Sequence, residues 1–415
     1  MNYLEELTTQ ENRRQKNTLN LIASENYPSP KSLELLGSIW NDKYAEGYPG
    51  KRYYAGNILA DKLEEFVSQK ALEVFDAQEE YGVNVQVLSG SPANAMVYFA
   101  VLEKDDTVLS LDLSSGGHLS HLHSTSAYLK FFNYANYQLE SKKNGLGIDI
   151  ADFENQLKNH KPRLVIIGFS SYPKKYEFTR LCELTHNHGA LVLADISHIA
   201  GLVATGRHDS PFKSGVTGAD FIMTTTHKTL RGPRGALLFA KKEYLPVVNK
   251  TVFPGTSGGP HLNQIAAVGQ SLLEVLGEDK YPDNLEFTKY ISNVLINTKA
   301  LENGLVEAGA EVVIPTQTHL TLVKLADNHD SLDMQNKLEE CSIITNRNAI
   351  PREPRAPWRP SGLRLGTAAL TSRGLNAEQA RELGVAIGSL LNGSLSDKAV
   401  SKYCRELNQQ LKWYY

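Results

Sequence analysis

The chain has 415 residues, 41% of them hydrophobic, with a formal net charge of −3. That length suits two or three domains with a sizeable core, and the near-balanced charge argues against a nucleic-acid partner, which needs a basic face. The polar start MNYLEELTTQENRRQ lacks a signal peptide's apolar region, no apolar run reaches the roughly 18 residues of a membrane span, and the three cysteines follow no CxxC or metal spacing, so a soluble cytoplasmic protein is expected.

Residues 3–17 predict a short polar helix. Residues 18–58, punctuated by Pro28, Pro30, Gly47, Pro49 and Gly50, read as an irregular arm. From Ala60 the pattern becomes regular, with Leu63, Phe66, Val67, Ala71, Leu72 and Phe75 at helical spacing. Strands are predicted at Val83–Leu88, Thr107–Asp112, Leu164–Phe169, Leu191–Ile196, Phe221–Thr224 and Ala236–Ala240, with helices at Pro92–Glu103, Ile150–His160 and Glu177–His188 between them. Runs such as LVIIGF and LVLAD are apolar on both faces, as in a mostly parallel sheet covered by helices on both sides. Such open α/β sheets bind ligands at the C-terminal ends of their strands.

A long helix around Asn263–Leu276 leads to the acidic linker Gly277–Asn284. A second α/β region follows: helix Leu285–Ala308, strands Glu311–Ile314 and His319–Leu325, helix Leu332–Cys341, a short strand near Arg364 and helix Ala377–Leu391. The expected division is an arm at 1–58, a large domain at 59–277 and a small domain at 278–415.

The chemistry concentrates at strand ends. ADFIMTTTHKTLRGPRG runs an apolar strand into His227 and Lys228. Most lysines are solvated surface charges with a pKa of about 10.4, but one led in by an apolar strand is semi-buried, which lowers its pKa and suits a Schiff base with an aldehyde cofactor. Asp195, closing LVLAD beside His198, suits the ring nitrogen of pyridoxal phosphate; the plain alternative is a cap for the next turn. Ser89-Gly90-Ser91 precedes a helix and offers hydroxyls and backbone N–H groups to an anion, or is an ordinary turn. His118 suits stacking on a flat ring, although a lone histidine is more often a satisfied core residue. His121 and His123 follow it, but no HExxH or carboxylate cluster accompanies them and no metal is expected. Arg364 in SGLRLGT suits a carboxylate clamp or a structural salt bridge. The tyrosine- and glycine-rich run KYAEGYPGKRYYAGN suits either a site shared between subunits or a plain dimer contact.

With these residues in view, the chain resembles the serine hydroxymethyltransferase family over roughly Leu21 to Leu391. The matching segments are LIASENYPSP, KYAEGYPGKRYYAGN, SGSPAN, GGHLSH, DISHIAGLVATG, TTTHKTLRGPRG, VFPGTSGGP and SGLRLGT, in family order. The resemblance implies a fold type I pyridoxal-phosphate enzyme of one-carbon metabolism. Its large domain would carry a mostly parallel seven-stranded sheet, and its smaller C-terminal domain would be α/β. It implies reversible transfer of the serine hydroxymethyl carbon to tetrahydrofolate, giving glycine and 5,10-methylenetetrahydrofolate, in a homodimer or dimer of dimers.

Carried residue by residue, the resemblance makes Lys228 the Schiff-base lysine, Asp195 the partner of the pyridine nitrogen and His118 the stacking ring. Ser89, Gly90 and Ser91 form the phosphate cradle, with His227 among the cofactor contacts. Ser170 and His198 would bond the phenolic oxygen region. Arg364 and Ser24 would clamp the substrate carboxylate, Glu46 would handle a proton on the hydroxyl or folate, and Tyr54, supported by Arg234, would line the reacting centre. Tyr44, Gly258 and Gly259 would reach the cofactor phosphate from a neighbouring subunit. Leu113, Gly117, Leu119 and Asn348 match the folate pocket.

Departures from the family pattern fall at Ser114-Ser115, at Leu122 where a glycine is usual, at GTSGG, at Arg347 and in SSYPKKYEF. They gather at the folate entrance and loops. They keep open a folate-independent aldolase or transaldolase acting on β-hydroxy amino acids, and a silent pyridoxal-phosphate-binding regulatory paralogue.

Overall fold

The computed structural model describes residues 2–142, 145–356 and 358–415. Helix α1 (Tyr3–Lys16) is closed by a capping box between Asn2 and Glu5 and buries no residue. Helix α2 (Ile58–Val74) then leads into a seven-stranded sheet. Its strands are β1 (Tyr81–Asn84), β2 (Thr107–Leu111), β3 (Asn133–Tyr137), β4 (Leu164–Ile167), β5 (Leu191–Asp195), β6 (Phe221–Thr225) and β7 (Ala236–Lys241), in spatial order β1-β7-β6-β5-β4-β2-β3. Only β7 runs antiparallel to its neighbours.

The side-chain alternation of the central strands sorts them onto two cores. Leu164 and Ile166 of β4 face one core, which also takes Ala93 and Val97 of helix α3 (Gly90–Val101). Val165 and Ile167 face the other. That core takes Phe153 and Leu157 of α4 (Ile150–His160), Phe178 and Leu181 of α5 (Phe178–Asn187), and Leu262 and Ile265 of α6 (Leu262–Leu276). Two-sided burial is what a run such as LVII demands.

Helix α7 (Phe287–Glu307) lays Phe287, Tyr290, Ile291 and Val294 on the large-sheet core and Leu301 and Leu305 on a third core. That third core backs a four-stranded antiparallel sheet in the order β8-β9-β11-β10, made of β8 (Glu311–Val312), β9 (Leu320–Lys324), β10 (Asn346–Asn348) and β11 (Gly362–Gly366). Helix α8 (Ala377–Leu391) covers it with Leu383, Ile387 and Leu390.

The arm is tied to the second α/β region through a separate two-stranded sheet. Leu19–Asn20 pairs in parallel with Ile343–Ile344. Arg373, 1% exposed, donates to the carbonyls of Lys16, Thr18 and Lys412 and to Asn408 Oδ1 at 2.9–3.1 Å.

Several elements differ from expectation. The strand predicted at Val83–Leu88 is instead paired over Tyr81–Asn84, against Leu238–Lys241 of β7. Strand β3 and the hairpin Leu139–Lys142 with Gly145–Ile148 were not predicted; NYANY is polar because β3 is a sheet edge. Helix α9 (Asp397–Gln410) was also not predicted, and it buries Val400, Cys404 and Leu407 at helical spacing. Among the described residues, no helix is long and apolar enough to cross a membrane.

Candidate active site

A cavity of about 300 Å³ opens at the C-terminal ends of β4, β5 and β6. It gathers Ser24, Ser89, Gly90, Ser91, His118, Ser170, Asp195, His198, His227, Lys228 and Arg234, which spread over more than 200 positions of sequence.

Lys228 follows β6 and is 9% exposed. Its Nζ donates to Thr225 Oγ1 at 3.0 Å, one turn back. Burial, then the charges of Arg364 and Arg234, outweigh the pull of Asp195 and bring its amine down to about 8. A neutral amine, the form that attacks a carbonyl, is therefore accessible near neutral pH.

Asp195 ends β5. Burial alone would raise its carboxyl, but hydrogen bonds from His121 and Ser197 and the charges of His121 and Lys228 hold it well below the usual carboxylate range. His121 Nε2 lies 2.8 Å from Oδ2, Asn94 Nδ2 lies 3.1 Å from the same oxygen, and the Ser197 N–H donates to Oδ1 at 3.0 Å. The result is a fixed, ionised carboxylate at the cavity floor.

The first turn of α3 faces the cavity through Ser89, Gly90 and Ser91. Gly90 is required there: a Cβ would sit 2.8 Å from Thr225 Cγ2. Unpaired N–H groups, two hydroxyls and the helix dipole make a cradle for a phosphate. With Lys228 and Arg234 lining the wall, the cavity favours anions despite Asp195.

His118 is locked by its neighbour, its Nδ1 accepting from the Ser120 N–H at 3.1 Å and lying 2.7 Å from Ser120 Oγ. Burial, and then the charge of His121, bring it down to about 4, so it is a neutral ring. His227 is likewise neutral, brought down to about 3 by burial and by Lys228. Ser170 donates from Oγ to the Gly117 carbonyl at 2.8 Å.

Arg364 does not line the cavity but stands behind Ser170. It is 8% exposed, and it donates to the Ser170 carbonyl at 2.6 Å and to Asn346 Oδ1 at 3.1 Å. No carboxylate among the described residues pairs with it, which removes the salt-bridge alternative. A buried guanidinium without a counter-ion is a place for an incoming carboxylate.

Other predicted residues lie elsewhere. Tyr44, Glu46, Tyr54, Gly258 and Gly259 form their own cluster off the cavity. The rings of Tyr44 and Tyr54 are 5.1 Å apart, and a Cβ on Gly258 would sit 3.5 Å from Glu46 Oε1. Tyr44 and Tyr54 are exposed. Leu113, Gly117, Leu119 and Asn348 are also off the cavity wall. Leu119 is exposed, and Asn348 sits in β10 opposite Gly362. Gly117 has a structural duty besides: a Cβ there would meet the Leu111 carbonyl oxygen at 2.3 Å.

Sequence reasoning missed Asn94, Ser120, Ser197 and His319, placed Thr225 only among the hydroxyls leading into Lys228, and weighed His121 only as a metal ligand. His121 instead serves Asp195, and His123 turns toward Thr125. The signal for Asn94 was its place one turn after Gly90, on the same face of α3.

A cavity with this lysine, this carboxylate and a phosphate cradle fits pyridoxal phosphate: the helix N-terminus at Ser89–Ser91 and the ionised Asp195 both face it. A family model described as serine hydroxymethyltransferase matches residues 2–387. The chain belongs to the serine hydroxymethyltransferase family. A serine hydroxymethyltransferase of Desulfotalea psychrophila is 42% identical over 396 residues, covering 95% of this chain and 89% of its own length. The fold is accordingly that of the type I pyridoxal-phosphate enzymes, and the cofactor, serine, glycine and tetrahydrofolate follow from the family.

Proposed function

We propose that this chain moves the hydroxymethyl carbon between serine and tetrahydrofolate in the cavity around Lys228, yielding glycine and 5,10-methylenetetrahydrofolate. The observation that carries the reading is a buried, readily neutralised lysine facing one cavity with an ionised aspartate, beside a buried arginine with no counter-ion among the described residues. Bound pyridoxal phosphate supplies an electron sink for bonds at the amino-acid α-carbon. Lys228 would hold its aldehyde carbon, Asp195 its ring nitrogen, His118 its face, and Ser89, Gly90, Ser91 and His227 its phosphate side. Ser170 and His198 would meet its ring hydroxyl.

Arg364, with Ser24 on the arm, fixes the serine carboxylate and so decides which α-carbon bond is presented for cleavage. Glu46 and Tyr54 handle the hydroxyl proton at the reacting carbon. Since both lie off the cavity of their own chain, they act with Tyr44, Gly258 and Gly259 in the cavity of a second copy, and Arg234 steadies them. Leu113, Gly117, Leu119 and Asn348 take the folate. A cytoplasmic location suits the three buried, unpaired thiols. A division into a large and a small unit near residue 277 is supported by the separate cores behind the two sheets, with α7 contributing to both.

The test is the visible absorbance of the cofactor-loaded protein with glycine, before and after tetrahydrofolate. A new band that rises sharply with folate supports the transferase. A glycine response indifferent to folate refutes it in favour of the aldolase.

A further inference from the structure

The segment that carries Ser24 is held on one side by the strand of Arg364. The Gly366 N–H, at the end of β11, donates to the Leu21 carbonyl at 2.7 Å. A Cβ on Gly366 would lie 2.5 Å from Ala23 Cα, so arm and strand meet backbone to backbone. On the other side, two residues past Ser24, stands Asn26, which does not line the cavity.

The side-chain amide of Asn26 has two donor hydrogens and two acceptor sites, and all four are engaged. Nδ2 donates to the Lys228 carbonyl at 2.8 Å and to the Tyr290 hydroxyl at 2.7 Å. Oδ1 accepts from the Tyr27 N–H at 2.9 Å and from Ser372 Oγ at 2.7 Å. Two of these partners are main chain and fix the orientation of the amide. A carbonyl only accepts and an N–H only donates, so a flipped amide would oppose both. The buried Tyr290 hydroxyl takes one hydrogen from Asn26 and donates its own to the Ala368 carbonyl at 3.2 Å.

These partners lie far apart in sequence: Lys228, Tyr290 and Ser372 are 202, 264 and 346 positions from Asn26. One amide thus joins the arm to the loop after β6, to α7 and to the segment beyond β11. Ser24 is strung between this tie and Gly366, with Lys228 at one end and the strand of Arg364 at the other.

We propose that Asn26 is a positioning residue that sets Ser24 against Lys228, so that the carboxylate clamp and the lysine keep one geometry. The inference rests on the reading of Ser24 as part of that clamp, and its test separates the two. A loosened Asn26 lets Ser24 drift, which costs substrate binding while the cradle at Ser89–Ser91 and the floor at Asp195 stay as they are.

The experiment is a double-mutant cycle on the cofactor-loaded protein, with the dissociation constant for glycine read from the cofactor's absorbance. Asn26→Asp keeps the shape and both acceptor sites but puts an oxygen where the two donors were. It should weaken glycine about tenfold, the worth of one or two hydrogen bonds, with the affinity for pyridoxal phosphate held within about twofold. In steady state the KM for serine should rise by the same factor. Ser24→Ala should weaken glycine on its own, and adding Asn26→Asp to it should cost less than about twofold more. Full, independent losses in the double variant overturn the proposal, as does unchanged glycine affinity in Asn26→Asp. Ser372→Ala withdraws a single donor from Asn26 and serves if Asn26→Asp does not fold. It should weaken glycine about threefold with Ser24 present and not at all with Ser24→Ala. Equal losses in both backgrounds mean that Asn26 is only a packing residue. If Ser24→Ala alone binds glycine as before, the clamp reading fails, and the proposal with it.

Discussion

Replacing Gly168 with alanine tests how tightly the cavity floor is set. Gly168 follows β4 directly opposite Asp195, and a Cβ there would lie 2.3 Å from the Asp195 carbonyl oxygen, 2.6 Å from its Cβ and 2.9 Å from its Cα. Ordinary contacts between such atoms are about 3.5–4.0 Å, so β5 must yield by about 1 Å, and two of the three atoms are backbone that cannot rotate away. His121 and Asn94 hold the carboxylate at 2.8 and 3.1 Å, and a displacement of that size carries at least one of them out of hydrogen-bonding range. Overpacking of this kind costs about 1–3 kcal/mol in stability, and a lost bond to a charged group costs about 1.5–3 kcal/mol in whatever depends on that charge. Gly168→Ala should therefore fold with a lowered Tm and bind pyridoxal phosphate about 10- to 100-fold more weakly. Titration of the cofactor-free protein by absorbance, beside a thermal melt, measures both. A folded variant with unchanged cofactor affinity and turnover would refute the claim that Asp195 must sit where β4 and β5 place it.

Lys228→Ala should lose turnover, and borohydride reduction of the cofactor-loaded variant should leave no added mass on the chain; a trapped adduct elsewhere contradicts the assignment. Arg364→Lys keeps the charge but loses the fork, so the KM for serine should rise about 10- to 100-fold in steady-state kinetics. Lys228 also predicts a pH dependence. Its folded pKa of about 8 lies below that of the unfolded chain, so the unfolded state binds more protons between about 8 and the ordinary lysine value. Stability of the cofactor-free protein should rise with pH across that window relative to Lys228→Met, as read by urea melts; parallel curves would show an ordinary lysine. Finally, Lys228→Ala and Glu46→Gln chains, each inactive, should regain activity when mixed and refolded together, toward roughly a quarter of the sites by random pairing in a two-fold dimer. No recovery would mean Glu46 serves its own chain.

Much of the cavity was legible because its chemistry sits at strand ends. TTTHK and LVLAD announce themselves by an apolar run that stops at a charged residue, and SGSP by a turn that opens a helix. Arg364 was legible as a residue but not as a clamp, because the absence of a counter-ion is a property of space. His121, Asn94 and His319 were illegible for the same reason: Asp195 lies 74 positions from His121, and His319 touches His198 across 121. The edge strand NYANY hid its pairing behind polar side chains, and the tyrosine-rich arm cannot say from sequence which copy's cavity it serves. Leu122, standing where the family favours glycine, adopts φ 60 while nearly fully buried, so packing has outweighed the backbone preference there.

The anchoring of the arm by Arg373 has a consequence for the order of assembly. Ser24 reaches the cavity on a segment fixed by pairing with Ile343–Ile344 and by Arg373, which also grips Lys412 and Asn408. The strands of the large sheet all lie between Tyr81 and Lys241, but the wall that carries Ser24 has no resting place until those more distant segments are in position. Closure of the pocket wall is thereby coupled to folding of the second α/β region, and a chain in which that region has come undone would present an open pocket.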